Sequence, residues 1–65
     1  MIKVIPVDVY DNDGNMVRVE FYDGKGDFAF QVLWDPSDEQ TSKNREDFRL
    51  YAYRMADQLK YEVNK

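Results

Sequence analysis

The sequence predicts an α+β domain in which a three-stranded antiparallel β-meander packs against one C-terminal α-helix (βββα). Three stretches with a two-residue hydrophobic period, at 2–10, 15–22 and 27–34, carry the sheet, and one stretch with apolar residues every three or four positions, at 44–63, carries the helix. A chain of 65 residues has room for one core, so residues 1–65 are read as a single domain without linker or repeat.

In the first stretch Ile5, Val7 and Val9 alternate with Val4, Pro6, Asp8 and Tyr10, which predicts a half-buried strand facing inward through its odd positions. The second puts Val17, Val19 and Phe21 inward and Met16, Arg18, Glu20 and Tyr22 outward. That shared parity predicts pairs Val9 with Val17, Val7 with Val19 and Ile5 with Phe21. It leaves Asn12, Asp13 and Gly14 as a three-residue loop with Gly14 at the left-handed position.

The third stretch carries Phe28, Phe30, Val32 and Trp34 at even positions, so the second hairpin must change parity. A two-residue loop at Gly24 and Lys25, with Gly24 first in a type II′ turn, does this and pairs Phe21 with Phe28 and Val19 with Phe30. Residues 35–44 form a polar connection offering Ser37, Thr41, Ser42 and Asn44 as helix N-caps. Phe48, Tyr51, Ala52, Met55, Leu59 and Val63 then form one helical stripe expected to lie on the inner sheet face.

Composition removes several chemistries. The chain is 43% hydrophobic and 34% charged, too apolar for disorder and too charged for a membrane span. It has no cysteine and no histidine, which removes disulfides, thiolate chemistry, zinc ribbons, nucleophilic triads and the commonest general base near neutral pH. No phosphate-binding glycine loop is present, and Glu20 has no outward carboxylate partner, so no enzyme activity, cofactor or metal is expected. The N-terminus lacks a signal-peptide pattern, which predicts a cytoplasmic protein.

Asp11, Asp13 and Asn15 mimic the opening ligands of a calcium loop, but Met16 stands where that loop needs glycine and Tyr22 where it needs glutamate. The turn explains all of these residues. A three-stranded sheet with a C-terminal helix resembles the arrangement of integrase arm-binding and plant AP2-type DNA-binding domains, which read the major groove with the outer sheet face. The predicted outer face here offers Arg18 among Asp8, Glu20 and Asp27, so direct nucleic-acid binding is not expected.

What remains is surface. Tyr10, Met16 and Leu33 form an apolar patch on the predicted outer face, where Asp8 and Arg18 pair across strands, and Leu50, Tyr53, Asp57 and Tyr61 lie on the helix side opposite the core. Tyr10, Met16, Leu33, Leu50, Tyr53 and Tyr61 are therefore the candidate partner-binding residues. Strand three lacks proline or lysine between Phe28 and Trp34, whereas Pro6 guards strand one. Net charge is −4, and residues 1–36 hold three bases against seven acids, which offers Asp11, Asp13, Asp23 and Asp27 as acidic contacts.

These features predict a small, acidic, non-catalytic interaction protein that binds a protein partner or a second copy of itself. Domains of this length without histidine or cysteine have the general look of small phage-encoded accessory or inhibitor proteins. Two alternatives are an acidic inhibitor of a nucleic-acid-binding enzyme and an oligomeric sponge holding a small ligand between subunits.

Overall fold

Both hairpins of the computed structural model, which describes residues 1–64, turn on the same local sequence, an aspartate followed three residues later by glycine. At the first, Gly14 N donates to Asp11 O at 3.1 Å and Asp11 N to Asn15 O at 2.8 Å, while Asp11 Oδ1 accepts from the amides of Asp13 and Asn15. At the second, Gly26 N donates to Asp23 O and Asp23 N to Asp27 O, while Asp23 Oδ1 accepts from Lys25 and Asp27. Gly14 and Gly26 take φ of +82° and +87°, where a Cβ would be strained. The second loop thus has three residues rather than two, and its left-handed residue is Gly26 in place of Gly24. The Asp23 carboxylate favours this form by capping two loop amides.

The elements are β1 (Ile2–Tyr10), β2 (Met16–Asp23), β3 (Phe28–Leu33), α1 (Ser42–Gln58) and β4 (Tyr61–Val63). They form one helix on a four-stranded mixed sheet of order β3-β2-β1-β4, with β4 parallel to β1, in place of the predicted meander of three. The helix stops at Gln58, short of the predicted 63, because Lys60 adopts φ +68° and turns the chain out. Leu59 and Val63 are four residues apart and so fit a helix. Tyr61 and Val63 also alternate about Glu62 as a strand, and pairing with Ile2 and Val4 decides between the two. Asn64 N still donates to Val4 O, and the next rung would need an amide hydrogen that Pro6 lacks.

One inserted residue inverts the predicted facing of β1. Tyr10 lies opposite Met16 as the loop dictates, but from there the ladder runs Val9 with Arg18, Val7 with Glu20 and Ile5 with Tyr22, leaving Val17 as a bulge. A one-residue slip exchanges the two faces of a strand. Val4, Pro6 and Asp8 therefore face the helix, and Ile5, Val7 and Val9 face away. A second bulge at Ala29 lies between the pairs Phe21 with Phe30 and Tyr22 with Phe28, correcting the predicted Phe21 with Phe28 register.

Val4, Val19, Phe21, Ala52 and Ala56 form the fully buried centre. Phe30 stacks on Phe21 with ring centroids 4.4 Å apart, Tyr61 stacks on Phe30, and Tyr53 meets Phe21 edge-on. The two alanines mark the middle of the buried helix face, flanked by Phe48 and Tyr53. Tyr51 and Leu59, predicted to be core, are each 52% exposed. Met16, predicted to be a surface contact, has no exposed surface. The connection closes over this end: Trp34 packs edge-on against Phe48, Gln40 pairs both its amide atoms with the Met16 backbone at 2.9 and 2.8 Å, and Thr41 caps α1 through Asn44 N.

Candidate interaction surface

The sheet face opposite α1 is covered by nothing in the described chain. The register places Ile5, Tyr22 and Phe28 in one row across it, Val7, Glu20 and Gln31 in the next, and Val9, Arg18 and Leu33 in the third. Ile5, Val7, Phe28 and Leu33 are 46%, 41%, 54% and 65% exposed. Ile5, Val7 and Val9 of the β1 alternation thus lie on the open face, while its inner face carries Val4, Pro6 and Asp8. These apolar residues lie on β1 and β3, on either side of Arg18, Glu20 and Tyr22 of β2, and share one face in contrast to singly scattered ones.

A polar line runs along the middle strand of this patch. Arg18 Nε donates to Glu20 Oε2 at 2.7 Å and Tyr22 Oη donates to Glu20 Oε1 at 2.7 Å, so both carboxylate oxygens are taken. The Arg18 hydrogen bond and then that of Tyr22 hold the Glu20 carboxyl below its usual range, and the same bond raises the Tyr22 phenol. Tyr22 also meets Phe28 edge-on at 5.9 Å. The patch is therefore ordered before any partner arrives, which lowers the entropic cost of contact.

The edge of β3 borders this face. Trp34 N bonds to Val17 O, so antiparallel alternation turns the backbone groups of Phe30 and Val32 toward β2 and those of Gln31 and Leu33 away from it. Among the described residues no strand, helix or loop pairs with the outward groups.

The other sequence candidates fall elsewhere. Leu50, Tyr53 and Tyr61 do come together with Met1, Asp57 and Val63 along a groove of about 390 Å³. Tyr61 joins them from β4 rather than from the helix, and Tyr53 and Tyr61 give much of their ring surface to the core. Tyr10 sits on the helix side with its hydroxyl 3.2 Å from Arg49 Nη2, so the patch of Tyr10, Met16 and Leu33 does not form. Asp8 pairs with Arg49 at 2.8 Å, and Arg18 with Glu20, instead of with each other. The Asp11 and Asp23 carboxylates hold the hairpin loops, whereas Asp13 and Asp27 join those loops through backbone groups alone and stand exposed.

Sequence reasoning missed Ile5, Val7, Val9 and Phe28 as surface residues. No local signal marked them, because the Asp8 and Arg49 pair that fixes this facing joins residues distant in the chain. Among the described residues no group of three acids converges as a metal site, and no helix is long and apolar enough to cross a membrane. No protein-family model, curated protein or solved structure matches the chain.

Proposed function

We propose that this chain is a non-catalytic interaction protein that docks a protein partner on the open sheet face. The observation that carries this reading is the set of exposed apolar residues Ile5, Val7, Phe28 and Leu33, which the register places on one face that the described chain leaves uncovered. An apolar centre crossed by one satisfied ion pair and rimmed by acidic loops has the anatomy of a protein interface. The acidic rim at Asp13 and Asp27 favours, as a second reading, a partner with a basic surface such as a nucleic-acid-handling enzyme.

The test compares proteins crosslinked from cell extract by the parent and by the Ile5→Lys, Val7→Lys double variant. Both positions are exposed, so the variant should keep a cooperative melt while losing a protein that the parent retains. Identical capture by the two chains rejects the reading. Repeating the capture at rising salt separates the second reading, because an acid-steered partner is shed steeply and an apolar one is not.

A further inference from the structure

Resting on the interaction reading above, we infer that the β3 edge accepts an extended segment of the partner as an additional antiparallel or parallel strand, and that this segment carries basic residues beside its apolar ones. Three features converge on this occupant. First, the amide and carbonyl of Gln31 and Leu33 point out of the sheet edge, and the bulge of this strand, at Ala29, lies before them and leaves their outward groups unpaired. Edge strands are ordinarily blunted by lysine, proline or a covering loop, yet Phe28–Leu33 contains no charged residue and no proline. β1 shows the contrast within the same sheet, since its outer edge is occupied by β4 and then ended by Pro6.

Second, the side chains of this strand offer a strand-adding peptide something to pack on, because Phe28 and Leu33 are the most exposed large apolar residues of the open face. Main-chain hydrogen bonds would supply affinity, and alternate side chains of the added strand would rest on that face.

Third, both ends of the edge are acidic. Asp27 precedes the strand and Asp35 follows it. Beside Leu33 opens a groove of about 500 Å³ whose walls include Asp35, Asp38, Phe48 and Tyr51, together with Asp47, which Lys43 already pairs at 2.8 Å. Carboxylates next to aromatic rings suit an arginine or lysine side chain, through charge and through the ring faces. The same acids oppose a second copy of this chain, since symmetric antiparallel pairing of two β3 edges about Gln31 sets Asp27 of each copy against Asp35 of the other.

The experiment uses the full isotope-labelled chain and three short synthetic peptides. One alternates valine and threonine between paired arginines, one replaces the arginines by glutamates, and one is the arginine peptide methylated on every second backbone nitrogen. The arginine peptide is expected to shift the Gln31 and Leu33 amides and slow their hydrogen exchange about tenfold or more. The methylated peptide, and the exposed Leu33→Lys variant, should each weaken binding about tenfold, and the glutamate peptide should not saturate. Equal binding of the glutamate peptide, binding without protection of Gln31 and Leu33, or no binding at all overturns the inference. So does a concentration-dependent dimer in which those two amides are already protected. Failure of the arginine peptide while the Ile5→Lys, Val7→Lys variant still loses its protein removes strand addition alone. Peptide binding at Gln31 and Leu33 alongside unchanged capture by that variant supports strand addition and removes the open face from the reading above.

Discussion

Arg49 of the helix donates through Nε to Asp8 Oδ2 of β1 at 2.8 Å, and the two side chains retain only 26% and 28% of their exposure. Asp8 is thereby tied to the inner face, and with it the whole alternation of β1. Tyr10 Oη accepts from the same guanidinium, and these bonds raise the Arg49 pKa despite its partial burial. Removing one partner of such a pair leaves the other charge partly desolvated. Asp8→Ala should therefore cost about 1 to 2 kcal/mol, and a double-mutant cycle with Arg49→Met should give a coupling of about 1 kcal/mol or more, read from urea midpoints. A coupling near zero would mean that the pair does not hold the facing of β1.

The bulge at Val17 makes a second prediction about the same strand. Val4→Ala and Phe21→Ala remove fully buried side chains and should cost about 2 to 5 kcal/mol, enough in a domain this small to abolish the cooperative melt. Ile5→Ala and Val7→Ala, on the open face, should each change stability by about 0.5 kcal/mol or less. The reverse ranking in thermal melts would restore the register with Ile5 and Val7 inward.

The two hairpin loops can be tested at their glycines. Gly14→Ala and Gly26→Ala force a Cβ into φ of +82° and +87°, and each should destabilise by about 1 to 2 kcal/mol. Gly24→Ala meets no neighbouring atom and needs no positive φ, so its midpoint should stay close to the parent's. A larger loss at Gly24 than at Gly26 would point to the two-residue turn.

Lys60 holds φ +68° with a full side chain, a conformation that glycine adopts without the steric cost. Lys60→Gly is expected to raise stability by about 0.5 to 1 kcal/mol by easing the exit from α1 into β4. A loss on this substitution, seen as a lower denaturation midpoint, would count against β4 as a strand.

Tyrosines govern the alkaline limb. Tyr22 is raised chiefly by its hydrogen bond to Glu20 and Tyr53 chiefly by burial, so in both the folded chain favours the protonated phenol. The stability they contribute is full below the ordinary tyrosine pKa near 10 and is lost as pH rises through the higher folded values. Ultraviolet titration should show a late phenolate component that shrinks in Tyr22→Phe. Glu20 runs the other way, since its depressed pKa gives stability that is present above the ordinary carboxylate range and lost as pH falls through the folded value. Glu20→Gln should flatten that part of the acid limb.

The sequence by itself determined the elements that local chemistry controls. The three antiparallel strands lie near their predicted spans, Gly14 turns the first loop, and Thr41 was among the foreseen caps. Leu33 was also among the foreseen contacts, and it stands on the open face. The one-residue bulges at Val17 and Ala29 were not legible, because an inserted residue leaves the composition of a strand unchanged while moving every partner beyond it. Nor was β4, since Tyr61, Glu62 and Val63 satisfy helical and strand periods alike until Val4 offers a ladder. Hydrophobic alternation identifies the two faces of β1 but not which of them the helix covers. The Asp8 and Arg49 pair and the ring stack of Phe21, Phe30 and Tyr61 settle that choice, and both exist only once residues distant in the chain have met.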